Sequence, residues 1–242
     1  MVEFGQTLQV EYVMAGMRAA LVNPRRFAVT ALDAADQSGM PVDVRLWLQD
    51  PPTSSHAACM GVKAAAEQGE AGRYLRRLRE GFFCRGRKLD SAEALVAEAR
   101  ALPGLDLERF RIDLASHAVL ELLGADLERA RSAAPEHQSS EEGRVTLPSL
   151  EFEGPNGDVQ GVYGYCPYEA VREAALRAGA AREGSSLSVD EALARFGVMA
   201  TAEVAAICEL PGPTAPAALW RLATEWRVKV ERCGTGELWS VA

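Results

Sequence analysis

The sequence predicts an α/β fold in which a small sheet is interrupted by a long block of helices and followed by a small α+β unit. Three observations carry that reading. The run Leu8–Met14 alternates and holds β-branched and aromatic residues, as a strand does. From Pro24 to about Arg131, apolar residues recur three and four apart with Pro and Gly as punctuation, which is the helical period. After residue 144 alternation returns around a strong turn, and residues 187–242 switch again from helices to a hairpin pattern.

Taken in chain order, the first strand ends at Ala15-Gly16. Helices are then expected near Pro24–Gln37, Ser54–Gln68, Ala71–Phe83, Ser91–Ala101, Asp106–Ala115 and Val119–Ser132. Ser91 and Asp106 are residues of the capping type, whose side-chain oxygen accepts from the backbone N–H groups left free in the first turn. A polar stretch, Pro135–Gly143, leads to Val145–Phe152, which is strand-like except for Pro148. Proline has no N–H to give a ladder, so Pro148 belongs at an edge, a bulge or a special turn. Glu153–Asp158 is rich in turn residues, and Val159–Tyr165 reads as the second arm of a hairpin. Pro167 opens a helix running through Ala178, because its fixed φ and missing N–H suit the first helical position.

Gly179–Ser186 is small and polar and reads as a linker. Beyond it Ser188–Phe196, Ala202–Cys208 capped by Thr201, and Pro216–Trp226 are helical, with a turn at Leu210–Pro213. Arg227–Arg232 and Glu237–Val241 then alternate around Gly234-Thr235-Gly236. Three helices followed by a hairpin is the winged-helix order.

With 48% apolar and 25% charged residues in 242, the chain has the composition of a globular protein with ample core. A net charge of -8 would repel a phosphate backbone, so no nucleic-acid partner is expected. From Gly184 onward five basic residues face seven acidic ones, and Pro216–Trp226 offers Arg221 alone beside Trp220, Leu222 and Trp226. Those side chains suit protein docking better than a DNA groove. No stretch approaches the about 20 apolar residues of a membrane helix, and Met1–Val10 lacks the basic and apolar regions of a signal peptide. A cytoplasmic location with no membrane partner is the corresponding expectation. The cluster Arg73, Arg76, Arg77, Arg79, Arg85, Arg87 and Lys88 reads as a solvated face, with Glu80 four residues from Arg76 to pair with part of it.

The five cysteines, Cys59, Cys84, Cys166, Cys208 and Cys233, are scattered and include no C-x-x-C. Isolated reduced thiols fit that spacing better than a disulfide framework or a zinc ribbon. His56, His117 and His137 are equally dispersed, so neither a metal nor a cofactor is expected. Adjacent residues on a helix do not face one another, so Ser54-Ser55-His56 reads as a cap rather than a nucleophile and its base.

The block from Trp47 to Cys59, with Val62-Lys63-Ala64-Ala65 after it, resembles the insertion of DsbA-like proteins of the cytosolic, FrnE-like dithiol-disulfide oxidoreductase/isomerase branch. So does Leu105–Phe110 followed by Asp113-Leu114, while Leu147-Pro148-Ser149 resembles the cis-proline loop of the thioredoxin fold. The matches cover about Leu8 to Ala180. The resemblance implies a thioredoxin-like fold whose core is residues 1–23 and 144–180, a helical insertion at 24–143, and a winged-helix-like unit at 187–242. In such proteins a strand and a C-x-x-C helix come first. Here Val2-Glu3-Phe4-Gly5 resembles only the tail of that helix, so the first βα unit, about 20–30 residues, is expected to be missing.

A redox cysteine attacks as a thiolate, its pKa lowered by a helix N-terminus and a neighbouring cysteine. Without that pair no catalytic residue is expected. The resemblance places substrate binding at Leu147, Pro148 and Ser149, with a cis bond between Leu147 and Pro148. Cys59, near the start of a helix, is the candidate reactive thiol. The first functional reading is therefore a redox-inactive member of the oxidoreductase lineage, with protein thiols or disulfides as clients. The second is an adaptor that delivers a client protein to a protease, the insertion and tail forming its binding surface. A glutathione-using isomerase or transferase of the same fold is a third, and a second copy of the chain is a further candidate partner.

Overall fold

The structure is a computed structural model that describes residues 9–16, 23–140, 143–181 and 186–242. The chain begins its regular structure with α1 (Pro24–Ser38), α2 (Arg45–Gln49), α3 (His56–Ala66), α4 (Ala71–Phe83), α5 (Ala92–Arg100) and α6 (Leu107–Leu114). Then come α7 (His117–Arg131), the two-residue strands β1 (Gln138–Ser139) and β2 (Arg144–Val145), the hairpin β3 (Ser149–Glu153) and β4 (Val159–Tyr163), and α8 (Tyr168–Arg177). The last part is α9 (Val189–Phe196), β5 (Met199–Ala200), α10 (Thr201–Ile207), α11 (Thr214–Thr224), β6 (Val228–Cys233) and β7 (Gly236–Val241). By their contacts the residues gather into two units, Met1–Gly16 with Ala115–Ser185, and Met17–Leu114 with Ser186–Ala242.

In the first unit, the strand expected at Leu8–Met14 is not formed: its described residues, 9 to 14, join no ladder. Alternation prepares a segment for a sheet, but a strand exists only where a neighbour takes its backbone groups. The Met14 N–H goes instead to Asp126 Oδ2 on α7 at 2.8 Å. Helix α7 begins at the Ser116 cap, whose hydroxyl accepts from Val119 N at 3.2 Å, and buries Val119, Leu123, Asp126 and Ala130. β3 and β4 pair antiparallel with Ser149 opposite Tyr163 and Glu153 opposite Val159. The turn between them is closed by Gly154 N to Asp158 O at 2.8 Å. α8 covers the hairpin with its small face, so Ala174, Ala175 and Ala178 meet Phe152 in one buried cluster. The expected linker at Gly179–Ser186 falls partly outside the described residues.

The second unit combines α1–α6 with the tail. Trp47 is 1% exposed. Its ring lies 4.4 Å from Phe27 and 5.8 Å from Phe83. This explains α2, which sequence periodicity does not signal: its five residues exist to place Leu46 and Trp47 in the core. Tyr74 of α4 is fully buried, stacks obliquely on Phe110 at 5.2 Å and donates its hydroxyl to Leu95 O at 2.9 Å. In the tail, β7 runs between β5 and β6. Leu193, Met199, Val204, Leu219, Leu222, Val228 and Trp239 form its core. Trp239 Nε1 gives its proton to Thr201 Oγ1 at 2.8 Å, which satisfies the one polar atom of a fully buried indole.

Residues 186–242 are tied to the helices of their unit at two places. Thr235 N bonds Val42 O at 3.1 Å, and Val42 N bonds Thr235 Oγ1 at 2.9 Å. Arg76 of α4 reaches Glu203 and Val198 O, and Arg85 reaches Glu231 at 3.0 Å.

Candidate functional site

The loop preceding β3 is assembled by the hairpin register and by the short 3-10 turn Pro135–His137. The Leu147–Pro148 bond is cis, as the resemblance implied. Upstream, Thr146 N bonds His137 O at 2.8 Å. Downstream, the Ser149 hydroxyl donates to Thr146 O and accepts from Gly164 N at 3.4 Å. Ser149 thus holds both sides of the loop, and Leu147 is left 47% exposed at its tip.

Around the loop lies a set of side chains the sequence did not mark. Tyr163, opposite Ser149, stacks on His137 with centroids 3.7 Å apart and planes 11° from parallel. Its hydroxyl donates to Glu151 Oε1 at 3.0 Å. Partial burial, reinforced by the Glu151 carboxylate, raises the Tyr163 phenol above its ordinary value, so it stays a neutral donor. Gly161 makes room for this ring, since a Cβ there would sit 2.3 Å from Tyr163 Cε2. Arg129 of α7 completes the group, 3.2 Å from Glu151 and 3.4 Å from Glu11. These hydrogen bonds raise the Arg129 pKa further, Glu151 contributing most. A period-two reading of the hairpin would have put Ser149 and Glu151 on one face, but nothing in the sequence ties His137 or Arg129 to them.

This arrangement fixes a backbone turn and presents an apolar tip. Its hydroxyls are engaged in holding the turn: Ser149 bonds Thr146 O and Gly164 N, and Tyr163 bonds Glu151. Cys166 is the single cysteine among residues 1–16 and 115–185, and it is half-buried. The sequence-expected residues Leu147, Pro148 and Ser149 are therefore brought together, whereas Cys59 belongs to the other unit. There Cys59 is half-buried at the fourth position of α3, and its own N–H is already bonded to Ser55 O at 3.0 Å. The N–H groups that would stabilise a thiolate lie earlier in the helix. Among the described residues no three His, Cys, Asp or Glu side chains gather as metal ligands, and no helix is long and apolar enough to cross a membrane.

The arginine cluster on and after α4 departs from the expected solvated face. Arg76 pairs with Glu80 at 2.7 Å and with Glu203, Arg77 with Glu98 at 2.8 Å, and Arg85 with Glu80 at 2.8 Å and Glu231 at 3.0 Å. Arg87 pairs with Glu98, and Lys88 with Asp50 at 2.6 Å. Burial works against the charge of Arg76 and Arg85, but their carboxylate partners outweigh it, so both pKa values rise. Two partners, Glu203 and Glu231, come from the tail, which is why spacing along α4 could not reveal the network.

A family profile described as Thioredoxin matches residues 1–134, more than half of the chain. The ClpXP adapter protein SpxH of Halalkalibacterium halodurans is 29% identical over 256 residues, covering 98% of this chain and 80% of that protein. The SpxH adapter of Bacillus subtilis is 33% identical over 141 residues, covering 57% of this chain and 46% of its own length. That of Shouchella clausii is 27% identical, covering 76% of this chain and 60% of its length. Among solved structures, a candidate protein disulfide isomerase from Nitrosomonas europaea superposes with a TM-score of 0.51 at 17% identity, covering 66% of this chain and 74% of that one. At that identity the likeness speaks for the fold, which is thioredoxin-like.

Proposed function

The chain belongs to the thioredoxin family, and from that premise we propose that it acts as a protein-binding adaptor, one that delivers a client protein to a ClpXP-type protease. The observation that carries the proposal is the alignment of 98% of the chain with a protein named as a ClpXP adapter. The sequence alone ranked the oxidoreductase lineage first; the relatives' names favour the adaptor instead.

On this reading the loop at Leu147, Pro148 and Ser149 contributes to client contact, with Leu147 as its apolar anchor. Residues 1–23 and 144–180 are the thioredoxin-like core, 24–143 the insertion, and 187–242 a winged-helix-like unit. The ties of Arg76, Arg85 and Val42 to that last segment support treating it and α1–α6 as one protein-binding body. A cytoplasmic location and a protein client follow from the same proposal. Cys59 is retained as a thiol open to alkylation, and self-association as an expectation.

The test is degradation. The immobilised chain is used to capture partners from an extract of its own organism, and each captured protein is offered to purified ClpXP and ATP with and without the chain. Faster loss of a captured protein when the chain is present supports the adaptor; unchanged rates for every captured protein would overturn it. The oxidoreductase reading is favoured only by the fold. It requires catalysed reduction of insulin disulfides by the 242-residue chain, and we expect none above the uncatalysed rate.

A further inference from the structure

Two cysteines that the adaptor reading does not use are brought together within the second unit. Cys84 follows α4, and Cys233 ends β6. The turn after Cys233 docks on residues 41–43, where Thr235 exchanges two hydrogen bonds with Val42. Asp43 N in turn bonds Phe83 O at 2.6 Å, which sets the end of α4 beside the same turn. Cys233 Sγ lies 3.8 Å from Phe83 O, and Cys84 Sγ lies 3.5 Å from Pro41 O. Each thiol donates to a backbone carbonyl close to the other cysteine: Phe83 directly precedes Cys84, and Pro41 directly precedes Val42, on which the turn after Cys233 docks. Both are in the thiol state.

We propose that Cys84 and Cys233 are a two-thiol oxidation site that closes to a reversible intramolecular disulfide. With Cys233 Sγ 3.8 Å from the carbonyl of the residue before Cys84, the two side chains share one seam, and side-chain rotation must bring the sulfurs to about 2.05 Å. Exposure orders the chemistry. Cys84 is half-buried, whereas Cys233 is 2% exposed, so an oxidant meets Cys84 first. The neighbouring Cys233 thiol, as a donor to the thiolate, lowers the Cys84 pKa against burial and the nearby Glu80 carboxylate, with Arg85 and Arg76 assisting. The Cys84 sulfur beside it and burial push Cys233 up, so it waits as the protonated resolving partner.

The oxidant is a low-molecular-weight disulfide. The Cys84 thiolate attacks one of its sulfurs, forming a mixed disulfide and releasing one small thiolate. Cys233 then gives up its proton and attacks the Cys84 sulfur, and the second small thiolate leaves. Two protein thiols are oxidised, one small disulfide is reduced, and the two protons end on the two released thiols.

The test uses the full chain treated with oxidised glutathione, followed by thiol counting and peptide mapping under native and reducing conditions. Counted in denaturant, the five thiols should fall to three, a Cys84–Cys233 linked peptide should account for the missing two, and dithiothreitol should restore all five. A Cys233→Ser variant should instead retain one glutathione on Cys84. Five thiols after treatment, glutathione held stably on Cys84 of the unaltered chain, or a linkage between any other pair would each overturn the proposal.

Discussion

Replacing Gly234 with alanine isolates what holds the tail hairpin against α1–α6. Gly234 has φ of +47°, and a Cβ there would lie 2.0 Å from Val42 O and 2.8 Å from Asp43 Cα. Both obstacles are backbone, so neither can rotate away, and the turn must lift. Left-handed backbone costs an alanine roughly 1–2 kcal/mol. Lifting the turn also forfeits the Thr235 N to Val42 O and Val42 N to Thr235 Oγ1 bonds, at about 0.5–1.5 kcal/mol each. The total expected loss for Gly234→Ala is about 2–5 kcal/mol. Gly212 is the matched control: its φ is +52° in the same unit, but nothing lies within 4 Å of its Cβ position. Gly212→Ala should therefore cost only the backbone share, about 1–2 kcal/mol. The assay is urea unfolding of both variants and the parent, followed by tryptophan fluorescence and extrapolated with a shared slope. Equal losses for the two glycines, within about 0.5 kcal/mol, would refute the claim that the hairpin turn is held by its fit against residues 42 and 43.

Three further outcomes are expected. Thr201→Val leaves the Trp239 indole N–H without its acceptor in a fully buried site and should cost about 1–3 kcal/mol in the same unfolding assay, whereas Thr201→Ser should recover most of it. Asp43 has its pKa held below the usual aspartate range, chiefly by the side-chain hydrogen bond from Arg45. Its contribution is thus complete above the unfolded value near pH 4 and disappears as pH falls through the lower folded value. Asp43→Asn should flatten the acid limb of the stability–pH curve below about pH 4, and an acid limb identical to the parent's would count against this role. Leu147→Glu places a charge on the exposed loop tip; it should weaken binding of a captured client about tenfold, or ~1.4 kcal/mol, without moving the urea midpoint. Unaltered affinity would remove the loop from the client surface.

The local grammar of the chain determined a good deal. Helix α4 occupies Ala71–Phe83 as its period predicts, and Ser91 and Ser188 cap α5 and α9 through their own hydroxyls. The turn between β3 and β4 and the helix–hairpin order of the tail were legible for the same reason. Periodicity, caps and turn chemistry act over four residues or fewer, so they are written into neighbouring letters. Tertiary structure decided what depends on distant partners. Residues 9–14 carry strand chemistry but gained no ladder, and Arg76 of α4 and Arg85 beyond it found carboxylates 127 and 146 positions away. Cys84 and Cys233, unremarkable at their sequence spacing, became neighbours because the Gly234 turn docks on Val42. Spacing cannot report such pairs: an ion pair or thiol pair is set by which surfaces meet, and only the packed units decide that.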